Sequence, residues 1–191
     1  MRRRTVVLAA LAAGALVLAT TGQTWVTATG LEGSAVPSAT ASGGRVSPVG
    51  TALAIVVMAA ALALTTARRA GMLLIGLVMA VSGVVIASAA ITAALDPAAA
   101  AAGAVAEVTG TTAPAAGYAV SAWPWVSGLG GVLALALGVL TLVAGRGWAQ
   151  SRRYEAPSAE PVGDAVAQDR RPGTVDRMDA WDELSRGEDP T

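Results

Sequence analysis

The stretch Val49 to Leu95, VGTALAIVVMAAALALTTARRAGMLLIGLVMAVSGVVIASAAITAAL, holds two apolar runs separated only by Ala67-Arg68-Arg69-Ala70. Read as one helix it would be about 70 Å long. Two adjacent arginines would then lie in hydrocarbon at about 2.5–3.5 kcal/mol each. A tight antiparallel hairpin keeps both guanidinium groups in water and leaves an apolar run on either side. Two membrane-spanning helices joined by a short basic turn are therefore expected here.

Working outward, Thr5 to Thr21 and Val126 to Ala144 have the same character, and none of the four runs contains Asp, Glu, Lys or Arg. Each is roughly 17–25 residues, enough to cross a hydrocarbon core of about 30 Å. Lipid offers no hydrogen bonds to a bare backbone, so such runs close their own bonds as helices. The sequence predicts an all-α membrane fold. It is a bundle of four transmembrane helices over residues 1–150, with spans at about 5–21, 49–66, 71–95 and 126–144, followed by a disordered acidic tail over 151–191. The rival reading of the N-terminus is a cleaved leader with Arg2–Arg4 as its basic head and Thr5–Leu18 as its apolar core. No clear A-x-A-like site follows, so retention of the first span is expected.

Composition agrees with a membrane setting. Hydrophobic residues make up 54% of the 191 and charged residues 14%, against about 25% charged in ordinary soluble domains. Every one of the 13 cations is Arg, and Lys, Asn, Phe, His and Cys are missing. The missing Lys, Asn and Phe read as codon bias of a GC-rich genome, which points to a bacterial source. Without Cys there is neither a disulfide nor a thiolate nucleophile or metal ligand. Without His the usual base near neutral pH and the commonest metal ligand are gone. No catalytic residue, metal or cofactor is expected, no nucleic-acid partner, and no enzyme.

Arginine also sets the orientation. Arg2–Arg4 precede the first span, Arg68 and Arg69 sit between the second and third, and Arg146, Arg152 and Arg153 follow the fourth. The other two connections hold Arg45 as their one cation, together with Glu32, Asp96 and Glu107. Short arginine-bearing segments stay on the cytoplasmic side. A multi-pass plasma-membrane protein with both termini cytoplasmic follows, and an even number of spans is consistent with it. From Ser151 onward six Arg face ten acids, a tail of net −4.

The outer connections, Gly22–Ser47 and Asp96–Pro124, lack strand-like alternation and apolar bulk and read as loops, with a helical stretch inside Ala98–Val108. Asp96-Pro97 reads as a turn at a helix end. Trp25, Trp123, Trp125 and Trp148 flank the spans, as do Tyr118 and Tyr154. An aromatic belt at headgroup level explains them. The sharper reading is an external aromatic site built from Trp25 and from Trp123 and Trp125, with Pro124 holding its neighbours extended.

Small residues recur in the fourth run at Gly130, Ala134 and Gly138, beside Ser127 and Gly131, and in the third at Gly76/Ala80 and Gly83/Ala87. That spacing lets helices approach closely, within one bundle or between copies in a homo-oligomer. In the tail, Val175, Met178, Trp181 and Leu184 recur every three residues and would form a stripe on a short helix over 175–186. Its acidic surroundings are repelled by an anionic leaflet. Met178, Trp181 and Leu184 are therefore candidate docking residues for a cytoplasmic protein.

Five features together carry a resemblance: the Arg-led first span, Gly22-Gln23-Thr24-Trp25, the Arg68-Arg69 hairpin, Ala122-Trp123-Pro124-Trp125, and the ending from Trp181 to Thr191. The chain resembles the tryptophan-biosynthesis-associated membrane proteins of high-GC Gram-positive bacteria, the Trp-operon-associated conserved hypothetical family. The resemblance implies four spans and a gene neighbourhood with tryptophan synthesis, and it supplies no catalytic residue. The expectation is a non-enzymatic accessory or interaction protein linked to tryptophan biosynthesis. The alternative is a component of a transporter for tryptophan or a related aromatic compound.

Overall fold

The computed structural model describes residues 3–32 and 35–144, with the side chain of Arg69 excepted. The tail over 151–191, the short helix expected at 175–186, and Trp148, Met178, Trp181 and Leu184 lie outside the described residues. In chain order the elements are α1 (Arg3–Thr21), β1 (Thr24–Thr29), β2 (Ser38–Ser42), α2 (Gly43–Val46), α3 (Pro48–Ala63), α4 (Arg69–Leu95), α5 (Pro97–Thr109), β3 (Gly117–Val120) and α6 (Trp123–Ala144).

Local signals explain the boundaries. Ser47 accepts the Gly50 amide at 3.2 Å and Pro48 opens α3, where its missing N–H costs nothing. Asp96 ends α4, because the residue before a proline avoids the helical region, and caps α5 by accepting the Ala99 amide at 3.0 Å. Gly110, at φ 69°, closes α5 in the left-handed conformation that glycine adopts freely.

Three helices are long and apolar enough to cross a membrane: Arg3–Thr21, Ala70–Leu95 and Trp123–Ala144, with mean hydropathies of 1.8, 2.5 and 2.2. The run expected over 49–66 is shorter than the sequence suggests. Its helix covers Pro48–Ala63, 16 residues, about 24 Å. Leu64 to Thr66 then tighten into a turn, with Thr65 donating to Leu62 and Thr66 to Ala63. Three spans are evident on length, where four are expected from the sequence.

The four long helices still form one ring. α1 packs between α3 and α6, and α4 closes the ring from the opposite side. Small residues set the closest contacts. A methyl group added at Gly131 would lie 2.6 Å from the Ala87 amide nitrogen, and one at Gly138 would lie 2.8 Å from the Gly76 carbonyl oxygen. Gly130, one residue from Gly131, faces α1 instead, where an added methyl would lie 2.6 Å from Val17 Cγ2. Consecutive glycines thus serve two different neighbours. With little apolar-solvent gain available between helices in lipid, such close backbone packing supplies much of the association energy. Val17, Ala54, Val57, Ile86 and Ala134 fill the middle of the ring, while Leu74, Val84, Leu133 and Val143 point outward.

The connections at one end of the ring are not loops. β1, β2 and β3 form an antiparallel sheet in the order β2-β1-β3, with Thr27 opposite Thr40 on one side and Ala119 on the other. A bulge between Thr24 and Val26 interrupts the first pairing. Helix α5 packs on this sheet, giving a small folded cap. Trp25, Val26 and Ala28 from β1, Ala101 and Val105 from α5, and Ala90 and Ala93 from the end of α4 share its core. This corrects the expectation that neither outer connection has the bulk for a core. Each alone is too small, and the fold pools them.

Candidate functional site

The residues expected to form an external aromatic site meet at the junction of cap and bundle. The Ser121 amide donates to the Trp25 carbonyl oxygen at 2.9 Å, and Ser121 Oγ donates to the Thr24 carbonyl at 2.7 Å. The structure therefore brings the 23–25 and 121–125 segments side by side. It does not present three indoles together. Trp25 is only 3% exposed, and its Nε1–H donates to the Thr20 carbonyl at 3.0 Å. Its polar edge is used within the protein, and its ring fills the cap core.

Trp123 and Trp125 remain outward, 39% and 55% exposed. Pro124 does not hold them extended. It lies buried in the first turn of α6, where a proline loses no helical bond, so both tryptophans are helical. Residues two apart on a helix project in divergent directions. The pair consequently cannot close on one planar ligand from both sides. It rings the entry of a long apolar helix, as an interfacial belt would.

The polar candidates are satisfied locally. Asp96 is the cap described above, and Thr92 Oγ1 donates to Ser88 O at 2.9 Å and Ala89 O at 3.1 Å within its own helix. Both line an open groove of about 220 Å³ between α4 and α5. Buried Thr20 and Thr141 donate to Val17 O and Leu137 O, each at 2.7 Å. No group of three or more His, Cys, Asp or Glu residues able to hold a metal ion occurs among the described residues. On the cap, Arg45 of α2 pairs with Glu107 of α5, both exposed. Such a pair contributes about 0–1 kcal/mol.

At the opposite end, one residue has a role that its position in the sequence does not reveal. Arg3 Nη2 donates to the carbonyls of Leu64 and, at 3.0 Å, Ala67. It thereby satisfies backbone acceptors at the C-terminal end of α3, where the last turn carries no basic residue of its own. Read along the chain, Arg3 is one of three cations before a span. The available signal is that uncapped helix end.

The family described as tryptophan-associated transmembrane protein (Trp_oprn_chp) matches residues 7–191. The chain belongs to this family. As a member of the tryptophan-associated transmembrane family it is a membrane protein, in accord with its three membrane-capable helices. No curated protein and no solved structure gives a significant match.

Proposed function

We propose that this member of the tryptophan-associated transmembrane family is a non-enzymatic accessory or interaction protein of the bacterial plasma membrane, linked to tryptophan biosynthesis. The bundle anchors, the cap lies outside, and the acidic tail with Met178, Trp181 and Leu184 docks a cytoplasmic protein. The observation that carries this reading is the interior of the ring. Between Arg3 and the cap, its described lining is apolar, glycine or hydroxyl-bearing, and the hydroxyls of Thr20 and Thr141 are bonded within their own helices. Proton relays and ion-coupled carriers place ionisable groups at such depths, so anchoring is the better-supported role.

The same reading makes α3 the fourth span. It lies alongside α1 and α4, and its outward residues Ile55, Val56 and Leu62 are apolar and exposed. From Pro48 to Ala67, whose amide still donates to Ala63, a helical rise would reach about 30 Å. Four spans would return the chain to its starting side, and the arginine clusters support a cytoplasmic position for both termini. Deleting the gene and measuring growth and intracellular tryptophan, with and without the amino acid supplied, tests the metabolic link. An unchanged tryptophan pool and growth rate would remove it. Affinity capture with the full chain tests docking, and the captured protein should be lost with Trp181→Ala and Leu184→Ala.

A further inference from the structure

The end of the ring opposite the cap holds an open groove of about 380 Å³, lined by Arg3, Arg4, Val7, Leu8 and Thr65. Its two cations come from the start of α1, and its far wall comes from the turn that ends α3. Arg3 spends one guanidinium nitrogen on the Leu64 and Ala67 carbonyls, and its Nε is buried with no acceptor. A buried donor without a partner is costly, and more so on a charged group. Arg4 is exposed and has no acceptor among the described residues. The three described acids, Glu32, Asp96 and Glu107, all belong to the cap end. Among the described residues, the groove is thus a concentration of positive charge with no acid beside it.

Its remaining walls are apolar. Val7 is buried, whereas Leu8 is 67% exposed along the outer side of α1. Guanidinium groups facing an anion next to an exposed aliphatic surface fit a phosphodiester that carries an acyl chain. A free anion would have no use for Leu8, and a zwitterionic lipid would bring its own cation against Arg4. We infer that this groove binds an anionic phospholipid such as phosphatidylglycerol. The phosphodiester lies between Arg3 and Arg4, and an acyl chain runs over Val7 and Leu8. Basic pockets between membrane helices bind anionic head groups through this chemistry, and guanidinium suits phosphate because its donors are fixed in a planar fork.

The test is lipid retention by the purified full chain, titrated in detergent with phosphatidylglycerol, phosphatidylcholine or inorganic phosphate and read by native mass spectrometry. Phosphatidylglycerol should bind in preference to phosphatidylcholine. Arg4→Gln should weaken it about fivefold, and Leu8→Ala should weaken it without changing any binding of inorganic phosphate. Arg68→Gln removes a charge at the same end outside the groove and should leave binding unchanged. Equal losses in Arg4→Gln and Arg68→Gln would mean diffuse attraction and overturn the site. Displacement of the lipid by inorganic phosphate, or no preference over phosphatidylcholine, would overturn the lipid assignment.

Discussion

The indole Nε1–H of Trp25 donates to the Thr20 carbonyl oxygen at 3.0 Å, so the first strand of the cap closes the last turn of the first membrane helix. Gly43 sits against this bond, and a methyl group there would lie 2.7 Å from the same oxygen. Trp25→Phe, which keeps most of the ring and loses the donor, should destabilise the protein by about 1 kcal/mol. Trp25→Ala should cost about 3–5 kcal/mol. Thermal unfolding in detergent measures both. Trp123→Ala and Trp125→Ala, at exposed positions, should stay within about 0.5 kcal/mol.

Gly131 and Gly128 occupy the same helix three residues apart and predict opposite responses. Gly131→Ala drives a methyl into the backbone of Ala87 and Gly83 and should destabilise by about 1–3 kcal/mol. At Gly128 the added methyl would meet only Ala90 Cβ, at 3.7 Å. Gly128→Ala should therefore be neutral or slightly stabilising in the same melt. Equal effects from the two would show that α4 and α6 do not meet through this face.

Asp96 acts on α5 as a cap. Asp96→Ala should cost about 1 kcal/mol and loosen Pro97–Thr109, whereas Asp96→Asn should restore most of it. Hydrogen exchange across α5 gives the readout. If Asp96→Asn behaves like Asp96→Ala, the carboxylate charge matters beyond capping.

The sequence has no cysteine, so single introduced thiols report orientation without background. With the cap outside, Thr112→Cys should react with a membrane-impermeant maleimide in intact cells. Arg68→Cys should react only after permeabilisation. The reverse pattern would place the cap in the cytoplasm.

The spans were legible because lipid exposure leaves a coarse signature, a long run without charge, and α1, α4 and α6 end within about three residues of those runs. The second run misled by its end. Leu64-Thr65-Thr66 is as free of charge as the helices, but it turns, and the absence of charge does not separate the two. The sheet was illegible for a different reason. Thr24–Thr29 pairs with Gly117–Val120, and nothing local to either segment announces a partner so distant. Ser38–Ser42 is built from Ala, Thr and Ser alone, and the bulge at Thr24/Val26 breaks the alternation that would mark a strand. Burial of Trp25 depends on that hidden sheet, so the indole looked available when it was not. The small-residue faces at Gly76/Ala80 and Gly83/Ala87 were visible as spacing, and the structure sets them against the backbone of α6 around Gly131, Leu135 and Gly138.

The central position of β1 also constrains how the protein is made. Ser121 reaches back 97 residues to Thr24, so one side of β1 stays open until the ribosome has delivered almost every described residue. Through most of synthesis the half-built sheet offers free peptide groups to whatever is nearby, including a sister nascent chain. The strand that completes the sheet, β3, is followed almost at once by α6, so the closing edge of the cap and the last helix of the ring are delivered together.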